Sequence, residues 1–133
     1  MAFEIVGIDH VVLRVRDVAR ALEFYCGVLG CREERRIDAL GLIQLRAGRS
    51  LIDLVDVAQP LGRNGGAPPG EGGRNVDHIA LQLRGFDEAE LRAHLLRHGV
   101  EPGEVRQLYG AEGTGPAMYV RDPDGNTVEL KAV

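Results

Sequence analysis

Apolar and polar side chains alternate along two stretches of this chain, and the two stretches are near copies. Ile8-Asp9-His10-Val11-Val12-Leu13-Arg14-Val15 and Val76-Asp77-His78-Ile79-Ala80-Leu81-Gln82-Leu83 each carry an Asp-His pair followed by a strand-like pattern. Around the first copy the pattern predicts a strand over about Ile5–Val15. Asp17 is placed to cap a helix over about Val18–Leu29, with Val18, Leu22, Tyr25 and Leu29, joined by Phe24 and Val28, as its apolar stripe. Gly30 follows as a left-handed stop. Short strands are predicted over Cys31–Asp38, Leu42–Ala47 and Ser50–Val55, turning at Gly41 and at Ala47-Gly48-Arg49.

Ala58–Asn75 breaks the pattern. It holds six glycines and three prolines and reads as a linker or mobile loop, a spacer between two half-domains in preference to a flap over a site. Past it the plan repeats. A strand is expected over Val76–Leu83 and a helix capped by Asp87 and Glu90, with Phe86 and Leu91 as a hydrophobic staple. The helix runs to about His98 with Leu91, Leu95 and Leu96 inward, and Gly99 ends it. Strands near Glu104–Tyr109, Ala117–Arg121 and Thr127–Lys131 complete the copy, the last two joined by the turn Asp122-Pro123-Asp124-Gly125-Asn126. His10 and His78 lie 68 residues apart, Gly30 and Gly99 lie 69 apart, and Leu51-Ile52-Asp53-Leu54 aligns with Thr127-Val128-Glu129-Leu130 at an offset of 76. The offsets drift only where loops absorb insertions. The predicted fold is therefore α+β: two repeated β-α-β-β-β modules, residues 5–57 and 76–132, joined by a 58–75 linker within one domain of 1–133.

The alternation also sorts the polar residues. If Val11, Leu13 and Val15, and likewise Ile79, Leu81 and Leu83, face their module's helix, then His10 and His78 face away from it. By the same parity Ile52 with Leu54, and Val128 with Leu130, turn Asp53 and Glu129 away from the helices. If each sheet curls, its first and last strands are neighbours. Two half-sites would then offer two imidazoles and two carboxylates, a set that neutralises a divalent ion such as Ni, Co, Mn, Fe or Zn. Each of the four residues taken alone is more readily a structural side chain. Their repeat-equivalent placement on one face is what argues for a metal, since burying two carboxylates without a cation costs several kcal/mol each.

Composition narrows the class. The chain is 44% apolar and 27% charged, with a net charge of −4, which argues against a nucleic-acid partner. The Arg32, Arg35, Arg36 cluster is interrupted by Glu33 and Glu34 and reads as a solvated strand edge. No window approaches the ~18 apolar residues of a membrane span, and no secretory signal is visible. Cys26 and Cys31 match no metal knuckle or redox pair and read as reduced thiols of a cytoplasmic protein.

Four segments together carry a family resemblance. They are Asp9 to Val15, Ala21-Leu22-Glu23-Phe24-Tyr25 with Val28-Leu29-Gly30, Asp77-His78-Ile79-Ala80-Leu81, and Arg121 to Leu130. On these the chain resembles the vicinal oxygen chelate superfamily, which includes glyoxalase I, extradiol dioxygenases, fosfomycin-resistance transferases and bleomycin-binding proteins. The resemblance covers about residues 5–132 and is nearest to glyoxalase-I-like members. It implies sheets curled around one divalent metal held by His10, His78 and Glu129. Asp53 stands where such members place a fourth ligand, usually Glu. It implies Arg14 as a contact to a substrate carboxylate. Gln82 on the His78 face, and Gln44 and Tyr119 at repeat-equivalent positions, complete the expected substrate contacts. It also implies a homodimer whose sites combine strands of two subunits.

Three functions follow from the resemblance. The first is a lyase or isomerase acting on a small substrate with vicinal oxygens through an enediolate, with Glu129 and Asp53 as proton-transfer groups. The second is an Fe(II) or Mn(II) extradiol-type dioxygenase using only His10, His78 and Glu129 as ligands, with Tyr119 for acid–base work. The third is a metal-free binding or resistance protein. It ranks last, because all four candidate ligands are kept and aromatic residues are few: three Phe, three Tyr and no Trp.

Overall fold

The computed structural model describes residues 2–133. The chain forms two compact units, one ending at Pro68 and the other beginning at Pro69.

In the first unit, strand β1 (His10–Val15) leads through helix α1 (Val18–Leu22) and a π-helical turn (Glu23–Val28) to β2 (Arg32–Ile37), β3 (Leu42–Ala47) and β4 (Ser50–Asp56). The sheet order is β1-β4-β3-β2, with β1 parallel to β4 and the other pairs antiparallel. β1 starts at His10, later than the Ile5 expected from alternation. Its partner sets the limit: β4 begins at Ser50, and the first paired residue is Leu51, opposite His10. Phe3, Ile5, Val6 and Ile8 consequently stay outside the sheet and exposed.

The predicted single helix is two kinds of turn. Asp17 caps α1 by accepting from the Arg20 amide. After Leu22 the coil widens, and the Leu29 amide bonds the Phe24 carbonyl five residues back. The wider turn lets Phe24 and Tyr25, neighbours in sequence, both bury, with their rings edge-to-face at 4.9 Å. They are buried in a core with Leu45 and with Leu13, Val15, Ile52 and Leu54, the last four of which alternation assigned to the helix side. Gly30 follows at φ 80°, as a left-handed stop requires. β2 is an exposed edge whose charges pair off, Arg36 with Glu33 and Arg46 with Glu34. The glycine- and proline-rich stretch is not all coil: Pro60–Arg63 forms a short helix, α2, with proline in its first turn.

The second unit repeats the plan. β5 (Ile79–Leu83), α3 (Glu88–Arg97), β6 (Val105–Gly110), β7 (Gly113–Arg121) and β8 (Thr127–Ala132) give the order β5-β8-β7-β6, with β5 parallel to β8. β5 begins at Ile79 opposite Val128, so His78 immediately precedes the strand that was expected to contain it. Asp87 caps α3 through the Glu90 amide. Leu95 is fully buried and Leu91 partly so, but Leu96, expected inward, is 59% exposed. One residue past Leu95 is about 100° around the helix, and only one of the two can face the sheet. Among the described residues no helix is long and apolar enough to cross a membrane.

The β7–β8 turn is built around Asp122. Its buried carboxylate accepts from the amides of Asp124 at 2.9 Å and Asn126 at 2.8 Å, and from Asn126 Nδ2 at 2.8 Å. Removing it strands several buried donors. Asp122→Ala should cost about 3 kcal/mol, read as a lower urea midpoint at unchanged m-value.

Candidate metal centre

Each unit places one histidine and one carboxylate on the same side of its sheet. In the first, Val12 is paired in register with Asp53, and His10 lies two residues before Val12. In the second, Ala80 is paired with Glu129, and His78 lies two residues before Ala80. The placements are equivalent, as the repeat predicts.

Both histidines are oriented the same way. His10 Nδ1 donates to Asp9 Oδ2 at 2.7 Å, and His78 Nδ1 donates to Asp77 Oδ2 at 2.6 Å. An ionised carboxylate can only accept, so the proton sits on Nδ1 and the Nε2 lone pair is left available to a ligand. These two aspartates orient the imidazoles, a role that the alternation pattern did not assign to them. The doubling of the Asp-His pair was their signal. The hydrogen bond to Asp9 raises the pKa of His10 above its usual 6.5; desolvation opposes it, and the Asp53 and Asp9 charges add smaller upward pushes.

The carboxylates differ in exposure from the histidines. Asp53 is 4% and Glu129 6% exposed. Gln44, opposite Asp53 on β3, donates to Asp53 Oδ2 at 3.1 Å and accepts from Arg35 at 3.3 Å. The other oxygen, Asp53 Oδ1, is buried with no hydrogen-bond partner among the described residues. An unsatisfied buried carboxylate oxygen costs more than the 1–3 kcal/mol of a neutral group, and a cation removes that cost. In the second half, Glu129 Oε1 lies 3.5 Å from His78 Nε2. Two ligands each about 2.1 Å from one ion sit about 3.0–3.4 Å apart, so this pair is close to a chelating separation. The donor types in both halves suit a divalent ion, and in the second half the separation suits one as well. No three His, Cys, Asp or Glu side chains converge on one point among the described residues, so each half is a two-donor fragment.

The expected substrate contacts divide. Tyr119, opposite Glu129 on β7, sets its ring edge-on to His78 at 5.7 Å. Burial, and then the neighbouring Glu129 charge and hydrogen bond, push its phenol pKa up, which keeps it a proton donor. Gln82 is exposed on β5. Gln44 is engaged with Asp53, as above. Arg14 is engaged with the following loop. Its guanidinium donates to the carbonyls of Gly62 at 2.9 Å, Gly66 at 2.6 Å and Ala67 at 2.9 Å. It passes so close to Gly65 that a Cβ there would stand 2.3 Å from Nε.

Comparison with known proteins bears on this geometry. The family described as "Glyoxalase/Bleomycin resistance protein/Dioxygenase superfamily" matches residues 7–130. The chain belongs to this superfamily. It is 27% identical over 126 residues to the catechol-2,3-dioxygenase of Bacillus subtilis, covering 94% of this chain and 41% of that protein. The chain thus spans about two-fifths of that relative's length. It is 28% identical to a "Probable lactoylglutathione lyase" of Synechocystis, covering 91% of each chain. An integron cassette protein of Vibrio cholerae superposes with a TM-score of 0.76 at 28% identity, over 99% of this chain and 98% of that one. Superfamily members are mostly enzymes acting on small molecules, and they generally use a divalent metal.

Two outcomes test the local chemistry. In metal-free protein, Asp9→Asn should lower the His10 titration midpoint, read from imidazole proton NMR. The raised folded value means that the Asp9 contact stabilises the fold fully below pH 6.5 and that this contribution disappears as pH rises through the folded midpoint. Arg14→Met should destabilise by about 1–3 kcal/mol and speed amide exchange across 62–67, because three carbonyls lose their charged donor.

Proposed function

We propose that this chain is a divalent-metal-dependent lyase or isomerase acting on a small substrate with vicinal oxygens. His10, Asp53, His78 and Glu129 are its metal donors. The observation that carries the reading is the orphaned, buried Oδ1 of Asp53, a formal charge waiting for a cation. Because each unit supplies only two donors, two halves must combine on one ion. We assign the combination to a homodimer with shared sites. The exposed apolar run Phe3, Ile5, Val6 and Ile8 gives such a dimer a surface to bury.

When bound, the ion supplies Lewis acidity to two adjacent substrate oxygens. The chain's own residues do the rest. Asp9 and Asp77 hold the two imidazoles in the ligating tautomer. Glu129 moves a proton between adjacent carbons, and Asp53, steadied by Gln44, is its partner base. Tyr119, protonated beside Glu129, donates to a developing negative charge. The thiols stay out of the chemistry: burial, with Cys26 nearby, pushes Cys31 up to about 11. Two free cysteines suit a reducing cytoplasm.

A second reading, an extradiol-type dioxygenase, rests on the same tyrosine. A phenol edge-on to His78 and beside Glu129 is the acid–base group such a reaction uses, and the Bacillus relative bears that name. There Asp53 would stay off the metal.

Metal content after reconstitution with Ni, Co, Mn, Zn or Fe(II) tests both readings. One ion per protomer is expected, lost in His78→Ala. Unchanged metal content in His78→Ala would sink both. Asp53→Ala should weaken binding about tenfold or more if four donors act, and leave it intact if three do. A hemithioacetal assay against oxygen uptake with catechol then selects the reaction.

A further inference from the structure

Lys131 is buried to 7% exposure, yet no carboxylate pairs with it among the described residues. Its one side-chain hydrogen bond among the described residues is a long 3.4 Å contact to the carbonyl of Ala132, its neighbour. An ammonium has three donors, so most of its capacity is unused. A buried cation in this condition is costly unless something anionic or strongly accepting meets it.

Its surroundings are built to hold it. Lys131 lies two residues beyond Glu129 on β8 and so shares the Glu129 face. It stands opposite Ala117 on β7 and Gln82 on β5. The side chain lies across two glycines. A Cβ on Gly110 would come 3.3 Å from its Cε, and a Cβ on Gly115 would come 3.2 Å from its Nζ. These glycines do not have the left-handed backbone that would itself demand glycine. Their missing side chains leave room for the lysine stem. The ammonium is thereby carried along β7 away from Tyr119, since Gly115 lies two residues past Ala117 in the direction away from it.

We propose that Lys131 is the residue that recognises a remote anionic group of the substrate, a carboxylate or a phosphoryl oxyanion. The assignment rests on the Glu129 site being the reacting end. Adjacent same-face positions on a strand are about 6.7 Å apart, and the lysine leans further, so the anion lies on the order of 10 Å from the Glu129 carboxylate. The substrate is then an elongated small molecule: vicinal oxygens at one end and a negative charge at the other. Arg14, the arginine that the family resemblance suggested for this task, has its guanidinium committed to Gly62, Gly66 and Ala67.

The test uses the full chain, zinc-loaded, titrated separately with inorganic phosphate and with acetate, and followed by amide NMR at Gly110 and Gly115. Saturable shifts at these two glycines are expected, and the tighter of the two probes names the anion class. Lys131→Met keeps the stem and removes the charge. It should weaken that binding tenfold or more while zinc content stays as in the parent. Absence of shifts at Gly110 and Gly115 in the parent, or unchanged shifts in Lys131→Met, overturns the assignment. Failure of zinc to load, with the phosphate or acetate response intact and lost in Lys131→Met, overturns the metal reading and leaves Lys131 standing. If Lys131→Met does not fold, Gly115→Ala crowds Nζ directly: weakened anion binding supports the assignment, and unchanged binding overturns it.

Discussion

Everything in this molecule that could do chemistry depends on a parallel pairing made twice. In each unit the opening strand hydrogen-bonds beside the closing strand, β1 with β4 and β5 with β8. Parallel neighbours cannot be joined by a tight turn. The intervening helix and hairpin are the connection that makes the pairing possible. In a parallel pair, residues in register share a face, so a histidine near the start of one strand and a carboxylate on the other meet on the helix-free side. The register is the same in both units. The carboxylate pairs with the residue two after the histidine, Asp53 with Val12 and Glu129 with Ala80. The third strand then adds its own equivalent neighbour, Gln44 to Asp53 and Tyr119 to Glu129.

That pairing buries charge, and the buried charge says what is missing. Asp53, Glu129 and Lys131 are all under a tenth exposed. Burying an ion without a partner costs several kcal/mol, a large part of the net stability of a small domain. Asp53 keeps one oxygen unsatisfied and Lys131 keeps most of its donors idle. One calls for a cation and the other for an anion. In the proposed reading a metal and an elongated anionic substrate would meet both demands, and a stability cost in the free chain would become selectivity in the loaded one.

Much of this was legible in the residues. Period-2 alternation put His10, Asp53 and Glu129 on the faces they occupy, and the repeat predicted Gln44 and Tyr119 as counterparts. Capping by Asp17 and Asp87, and the glycine stops at Gly30 and Gly99, were readable because each has a local cause. What escaped has a non-local one. The starts of β1 and β5 are set by where β4 and β8 begin, which alternation in the opening strands cannot report. The π-turn that buries Phe24 and Tyr25 together depends on packing. Leu96 is an exception with a local cause: it stands about 100° around the helix from Leu95, which takes the inward place. Arg14 was expected at a substrate carboxylate, and its partners, backbone carbonyls of a distant glycine-rich stretch, are not visible to strand parity. Lys131 was overlooked although its signals were present: same-face spacing from Glu129, and glycines at 110 and 115 in an otherwise strand-forming segment.

The central claim is that each unit is half of a metal site and that halves combine between protomers. Subunit mixing tests it most directly. His10→Ala protein and His78→Ala protein should each fail to bind metal tightly. In a mixed dimer with shared sites, one site collects both defects and the other collects none. Statistical exchange between the two variants should therefore restore about one quarter of the full-affinity sites. Restoration near that fraction is the predicted result. No recovery of metal binding, with mixed dimers demonstrably formed, would contradict it.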